Sequence, residues 1–127
     1  MPLIRIDMPE GEKKEFLQLF MNTLMDAVVS VLRLPENDRN IRLNEYKTDL
    51  FRMKPPYRYI IEITLFSGRT VETKRKLYQT IAESLAAKTG IDINSIFIVL
   101  NEQPMENWGV RGGKAACDID PGFNVKI

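Results

Sequence analysis

Leu43-Asn44-Glu45 recurs as Leu100-Asn101-Glu102, an offset of 57, and the match spreads outward from that tripeptide without a gap. Ile4 and Ile6 fall on Ile61 and Ile63, Gly11 on Gly68, Glu15 on Glu72, and Thr23 on Thr80. Phe20, Leu24 and Val28 fall on Leu77, Ile81 and Leu85, whose spacing of four is that of a helix face, while Ile4/Ile6 and Ile41/Leu43 alternate as strand residues do. Each half therefore reads strand, helix, strand: strands near 3–8 and 41–46 around a helix near 12–32, then strands near 59–66 and 96–101 around a helix near 71–89. Thr70 stands where an N-cap belongs, with Glu72 in the first turn, Gly90 stands where a C-terminal cap belongs, and Pro35 ends the first helix. Two strands joined through a helix run parallel with a right-handed crossover. The expected architecture is α/β (α+β), two repeated βαβ units forming a four-stranded sheet with both helices on one face. The chain, 1–127, reads as a single domain, with repeats at about 2–46 and 59–103, an insertion at 47–58 and a tail from 104 to 127.

The chain of 127 residues carries 18 Lys and Arg against 17 Asp and Glu, no histidine and one cysteine, Cys117. A net charge of +1 gives no electrostatic reason to expect nucleic acid or an anionic membrane as a partner. The absence of histidine removes His-based Ser or Cys triads, His-ligated zinc and haem on a proximal His from a single chain. No metal-ligand cluster is legible, and one cysteine forms no intramolecular disulfide. The amino terminus lacks the basic start and long apolar core of a signal peptide, and no stretch reads as a membrane span, so a cytoplasmic protein is expected.

The strand residues divide into two sets. Ile4, Ile6, Ile41, Leu43, Ile61, Ile63, Ile98 and Leu100 are uniformly aliphatic and should meet the helices. Leu3, Arg5, Arg42, Asn44, Ile60, Glu62, Thr64, Phe97 and Val99 make a face half apolar and half polar. Such a face is either partly solvated or covered by identical subunits, with Arg5, Arg42 and Glu62 pairing across the contact.

With histidine absent, the acids and bases left are carboxylates, lysines, tyrosines and the chain terminus. Removal of Met1, the usual fate of Met before Pro, gives Pro2 a free secondary amine. An α-amino group has a reference pKa of about 7.7 to 8.0, and burial or nearby cations lower it toward a useful base at neutral pH. Met-Pro is also an ordinary protein start, so the dipeptide alone assigns nothing.

Four segments together carry a resemblance: Pro2-Leu3-Ile4, the turn Gly68-Arg69-Thr70-Val71-Glu72-Thr73-Lys74, the strand end Val99-Leu100-Asn101-Glu102, and Asn107-Trp108-Gly109-Val110-Arg111-Gly112-Gly113. In this order they resemble the tautomerase superfamily, proteins with an amino-terminal proline and a tautomerase/MIF-like fold. Residues 67–113 are similar to a whole subunit of the short, 4-oxalocrotonate tautomerase-like members. The first half looks like a fused copy in which Gly11-Glu12-Lys13 has no arginine at the equivalent place. Leu34-Pro35-Glu36-Asn37-Asp38-Arg39 resembles the Pro-Glu-x-Asp-Arg segment of the malonate semialdehyde decarboxylase branch, although that branch has a pair of arginines where Ser67 and Gly68 here precede a lone Arg69.

The resemblance implies a homotrimer with its mixed sheet faces turned inward and a cofactor-free keto–enol tautomerase for small 2-oxo acids or enols, phenylpyruvate-like. It implies Pro2 as proton shuttle, Arg69 as carboxylate anchor and Trp108 as an apolar wall. Asp38 would assist the proline in a decarboxylase or hydratase reading. Arg111 is a candidate second cation, and Tyr57, on the 47–58 segment, a candidate for capping the pocket. A non-catalytic trimeric binding or assembly protein remains the alternative from another class. The implied partner is a small carboxylate, with neither nucleic acid nor membrane.

Overall fold

The computed structural model describes residues 1–127. Six strands, β1 (Pro2–Pro9), β2 (Ile41–Tyr46), β3 (Tyr59–Phe66), β4 (Ile96–Gln103), β5 (Gly109–Val110) and β6 (Lys114–Ala115), accompany two helices, α1 (Lys14–Leu32) and α2 (Val71–Thr89). The large sheet has the order β2-β1-β3-β4, with β1 parallel to β2, β3 parallel to β4, and β1 antiparallel to β3. This is the expected pair of βαβ units, joined edge to edge by their first strands.

The repeat is visible residue by residue, since β3 and α2 begin and end at an offset of 57 from β1 and α1. The offset runs further than the sequence shows. A 3-10 turn at Thr48–Leu50 has its counterpart at Met105–Asn107. The correspondence ends there: the β5–β6 pair that follows the second turn has no strand counterpart in 51–58, the remainder of the stretch that reads as an insertion in the sequence. Arg5 lies opposite Glu62, the one facing β1–β3 pair separated by the repeat offset, so the pseudo-twofold passes between them.

Ile4, Ile6, Ile61 and Ile63 occupy one row of the sheet and are fully buried beneath Phe20, Leu24, Leu77, Ile81 and Leu85 of the helices. Each such side chain removed from water contributes about 1.5–3 kcal/mol. Thr70 caps α2 by accepting from the Thr73 amide at 3.2 Å, and Gly90 takes φ 78 to close it, as the sequence requires. The first helix ends differently from the expectation. Arg33 adopts a left-handed conformation at φ 53 and its amide donates to the Val29 carbonyl, so the helix stops ahead of Pro35 rather than at it. It also starts at Lys14, without a side-chain cap.

Contrary to the expectation that no segment matches a membrane span, α1 has the length and hydropathy of one, 19 residues with a mean of 1.3. Its apolar surplus has another use: Phe20, Leu24, Val28 and Leu32 lie against the sheet, and Ala27 and Val31 are buried as well. The opposite sheet face is half open, with Leu3 39% and Phe97 38% exposed. On that face Arg5 donates to Asp7 at 3.3 Å and to the Tyr46 hydroxyl at 3.1 Å, and that hydroxyl donates to Asp7 at 3.1 Å.

Candidate active site at the start of the central strand

Antiparallel pairing sets Pro2 opposite Leu65, so the chain start lies beside the end of β3 and the turn that follows it. A cavity of about 380 Å³ opens there, lined by Met1, Asp38, Phe66 and Arg111 and walled on one side by Ile119 and Phe123. Pro2 is buried in β1 behind Met1 and does not itself line the cavity. The loop after α1 supplies the carboxylate. The Asp38 amide donates to the Pro35 carbonyl at 3.0 Å, and the Asn40 carbonyl accepts from the Ile4 amide at 2.9 Å, which ties the loop to β1. One Asp38 oxygen accepts from Asn40 Nδ2 at 3.0 Å, and the other pairs with the Met1 amine. Asp38 is thus aimed at the chain terminus. Removal of Met1 would shift that terminus inward by one residue, about 3.8 Å between Cα atoms, onto Pro2.

Arg111 reaches the cavity from a tight hairpin between β5 and β6, where Arg111, Gly112 and Gly113 take φ 48, 79 and 96. Two consecutive glycines satisfy the positive angles at the tip. Trp108 precedes β5, and its ring meets Phe66 edge-on at 4.9 Å, so it supports the cavity wall from behind while Phe66 faces the cavity. Its indole nitrogen is buried without a partner.

Arg69 is close by in sequence but does not line this cavity. It is only 6% exposed; Nη1 donates to the Phe66 carbonyl at 3.0 Å, while Nε and Nη2 are buried without acceptors. Glu102, the nearest acid acting on it, is engaged by Lys74. Burial pulls the guanidinium's pKa below its ordinary value, partly countered by Glu102. A buried cation with idle donors is costly to folding and suits a missing anion. Replacing Arg69 by methionine should therefore leave the protein at least as stable, by about 1 kcal/mol in favour of the variant, while weakening carboxylate binding. Urea midpoints beside substrate titrations check both halves; a large stability loss would show that the guanidinium serves the fold.

Tyr57 is elsewhere. β1 runs away from the cavity, and Tyr57 precedes β3 at the far end, where its ring packs edge-on against Phe97 at 5.0 Å. It lines a second depression of about 340 Å³ with Pro9, Phe51 and Arg58. The pseudo-twofold relates the two ends: Pro9 corresponds to Phe66, Phe51 to Trp108 and Arg58 to Met1. Glu12, in the place of Arg69, sits 3.7 Å from Arg58. The second end thus has a carboxylate where the first has a guanidinium, and a peptide nitrogen at Tyr59 where the first approaches a terminal amine. Within one chain, this arrangement of groups occurs at one end only.

Sequence reasoning overlooked Phe66 and the wall at Ile119 and Phe123. Phe66 was findable as the last strand residue before the Gly68-Arg69-Thr70 turn. The wall follows no period, and nothing in its spacing marks it. No three His, Cys, Asp or Glu side chains come together as a metal-binding group.

The model of a family described as tautomerase enzyme matches residues 38–111, more than half of the chain. The chain belongs to the tautomerase family. It is 27% identical over 123 residues to the probable tautomerase YusQ of Bacillus subtilis (strain 168), covering 91% of this chain and 97% of that protein. Among solved structures, it is 30% identical to FG41 malonate semialdehyde decarboxylase inhibited by 3-bromopropiolate, with a TM-score of 0.75 over 84% of this chain and 86% of the other. A fused 4-OT described as a wild-type symmetric trimer shares the fold at a TM-score of 0.81 and 24% identity, over 91% and 96% of the two chains. The four-stranded, two-helix arrangement expected from the repeat, and the tautomerase fold the resemblance implies, are therefore the fold of this family member.

Proposed function

We propose that the chain is a cofactor-free keto–enol tautomerase acting on small 2-oxo acids and their enols, with the Pro2 nitrogen, freed by loss of Met1, as the proton shuttle. The observation that carries this reading is the convergence, around one cavity, of the chain start, the Asp38 carboxylate, the Arg111 guanidinium and the Phe66 ring. Neutral Pro2 takes the enol hydroxyl proton as that O–H bond breaks, and returns a proton to the neighbouring carbon as the C–H bond forms. The substrate carboxylate is anchored by Arg69, whose idle Nε and Nη2 suit a bidentate partner, with Arg111 as a second cation at the rim. Trp108 holds the Phe66 ring in place. Ketonisation of phenylenolpyruvate, followed by loss of enol absorbance, tests the proposal. Saturable turnover is expected; no acceleration over buffer would leave a non-catalytic binding protein as the better reading.

A second reading, decarboxylation or hydration of malonate semialdehyde, is favoured by the pairing of Asp38 with the chain terminus and by the malonate semialdehyde decarboxylase among the structural relatives. An ammonium held by Asp38 favours an acid or electrostatic role over that of a base. If decarboxylation is the reaction, Asp38→Asn lowers its rate at least 100-fold, in the range of a lost acid–base partner, while Asp38→Asn spares ketonisation. Equal carbon dioxide release by wild type and variant would exclude this reading.

The proposal extends to a homotrimer that buries the half-polar sheet face. The exposed Leu3 and Phe97 beside Arg5 and Glu62 support it, as does the trimeric fused 4-OT of the same fold.

A further inference from the structure

The last segment of the chain lies on the turn that carries Arg69. A main-chain oxygen of Ile127 accepts from the Thr70 amide at 2.9 Å. Gly68, at φ 137, lets Val125 approach so closely that a Cβ there would stand 3.1 Å from the Val125 carbonyl oxygen. Phe123 stacks on Phe66 with centroids 6.0 Å apart and rings 11° from parallel, and its ring lies 5.5 Å from the Arg69 guanidinium carbon. The hold is slight. Beyond the Thr70 bond, the amides of Gly122 and Lys126 turn inward to Asp120 and Asn124 of the same segment. Under this cover Arg69 keeps two buried nitrogens without acceptors.

We propose that residues 119–127 form a strap over Arg69, with Phe123 against the guanidinium, that must lift before a substrate carboxylate can reach the buried Nε and Nη2. The proposal rests on Arg69 as the carboxylate anchor. The strap offers these N–H groups no acceptor, whereas a carboxylate meets them in the guanidinium plane, so ligand binding favours the lifted strap. The protein competent to bind is the fraction with the strap lifted, and apparent affinity falls by that fraction.

Phenylpyruvate is the probe, with two readouts. Trp108 is the single tryptophan, lies against Phe66, and reports binding by fluorescence. The Thr70 amide precedes the first helical turn and is bonded only to the strap, so its hydrogen exchange reports strap lifting in the unaltered protein. Saturating phenylpyruvate should speed Thr70 exchange several-fold, and Phe123→Ala should tighten phenylpyruvate binding by about tenfold. Arg69→Ala separates the two layers. If it loses binding while Phe123→Ala binds no tighter, or while ligand slows Thr70 exchange, the anchor stands and the strap is overturned. If Arg69→Ala binds phenylpyruvate as wild type does, anchor and strap fall together.

Discussion

Pro2→Ala is expected to lower kcat/KM for phenylenolpyruvate ketonisation by about 10²- to 10⁴-fold, the worth of a positioned acid–base group. The variant keeps a terminal amine once Met1 is removed, so what it loses is the ring that holds the nitrogen. Proline fixes φ near −65°, and Pro2 enters β1 already buried, opposite Leu65. An alanine amine there gains torsional freedom and a stronger claim on water and on Asp38. Folding should be unaffected, since the strand ladder and the isoleucine row below are untouched. Rates measured beside a circular-dichroism melt separate the two effects; an unchanged rate would show that the proline ring is dispensable to the chemistry.

Phe20→Ala is expected to destabilise the fold by about 3–5 kcal/mol, the range for deleting a fully buried aromatic ring. Phe20 is completely buried under α1, its ring 5.3 Å from that of Tyr59 and 6.0 Å from that of Phe16, so the void would sit between helix and sheet where neither can collapse freely. Tyr59 would feel the change, because burial holds its phenol pKa above the ordinary value. Urea unfolding at fixed protein concentration checks this, with the midpoint falling and the slope unchanged. A loss below about 1 kcal/mol would mean that the site repacks, contrary to the buried geometry.

The scaffold was legible because it is written twice. Ile4/Ile61, Phe20/Leu77 and Leu43/Leu100 each constrain the other, and one reading satisfies strand alternation and helix spacing in both units. Thr70 and Gly90 announced the ends of α2 by capping chemistry that depends on local residues alone. Where only backbone shape persisted, as in the two 3-10 turns, the repeat went unseen. Site residues were visible where a motif surrounds them: Asp38 and Arg111 share the cavity beside the chain start. Tyr57 is removed to the opposite end by the antiparallel junction of β1 and β3, a relation between units that neither unit encodes. Arg69 stands beside the site, yet it is covered by Phe123, more than fifty residues later in a stretch with no period.

On the proposed function, the duplicated fold would confine the chemistry to one end. A fused chain has one amino terminus, so the pseudo-symmetric position at Tyr59 has no amine to offer. Glu12 in the place of Arg69 is consistent with release from the demand for a carboxylate anchor.

The most direct test of the central claim compares two preparations of the unmutated chain, sorted by intact mass into protein that retains Met1 and protein that begins at Pro2. With Met1 in place the Pro2 nitrogen is an amide without basicity. The account predicts phenylenolpyruvate ketonisation only in the processed form, with its activity lost on acylation of the terminal amine. Equal turnover by the two forms would contradict it.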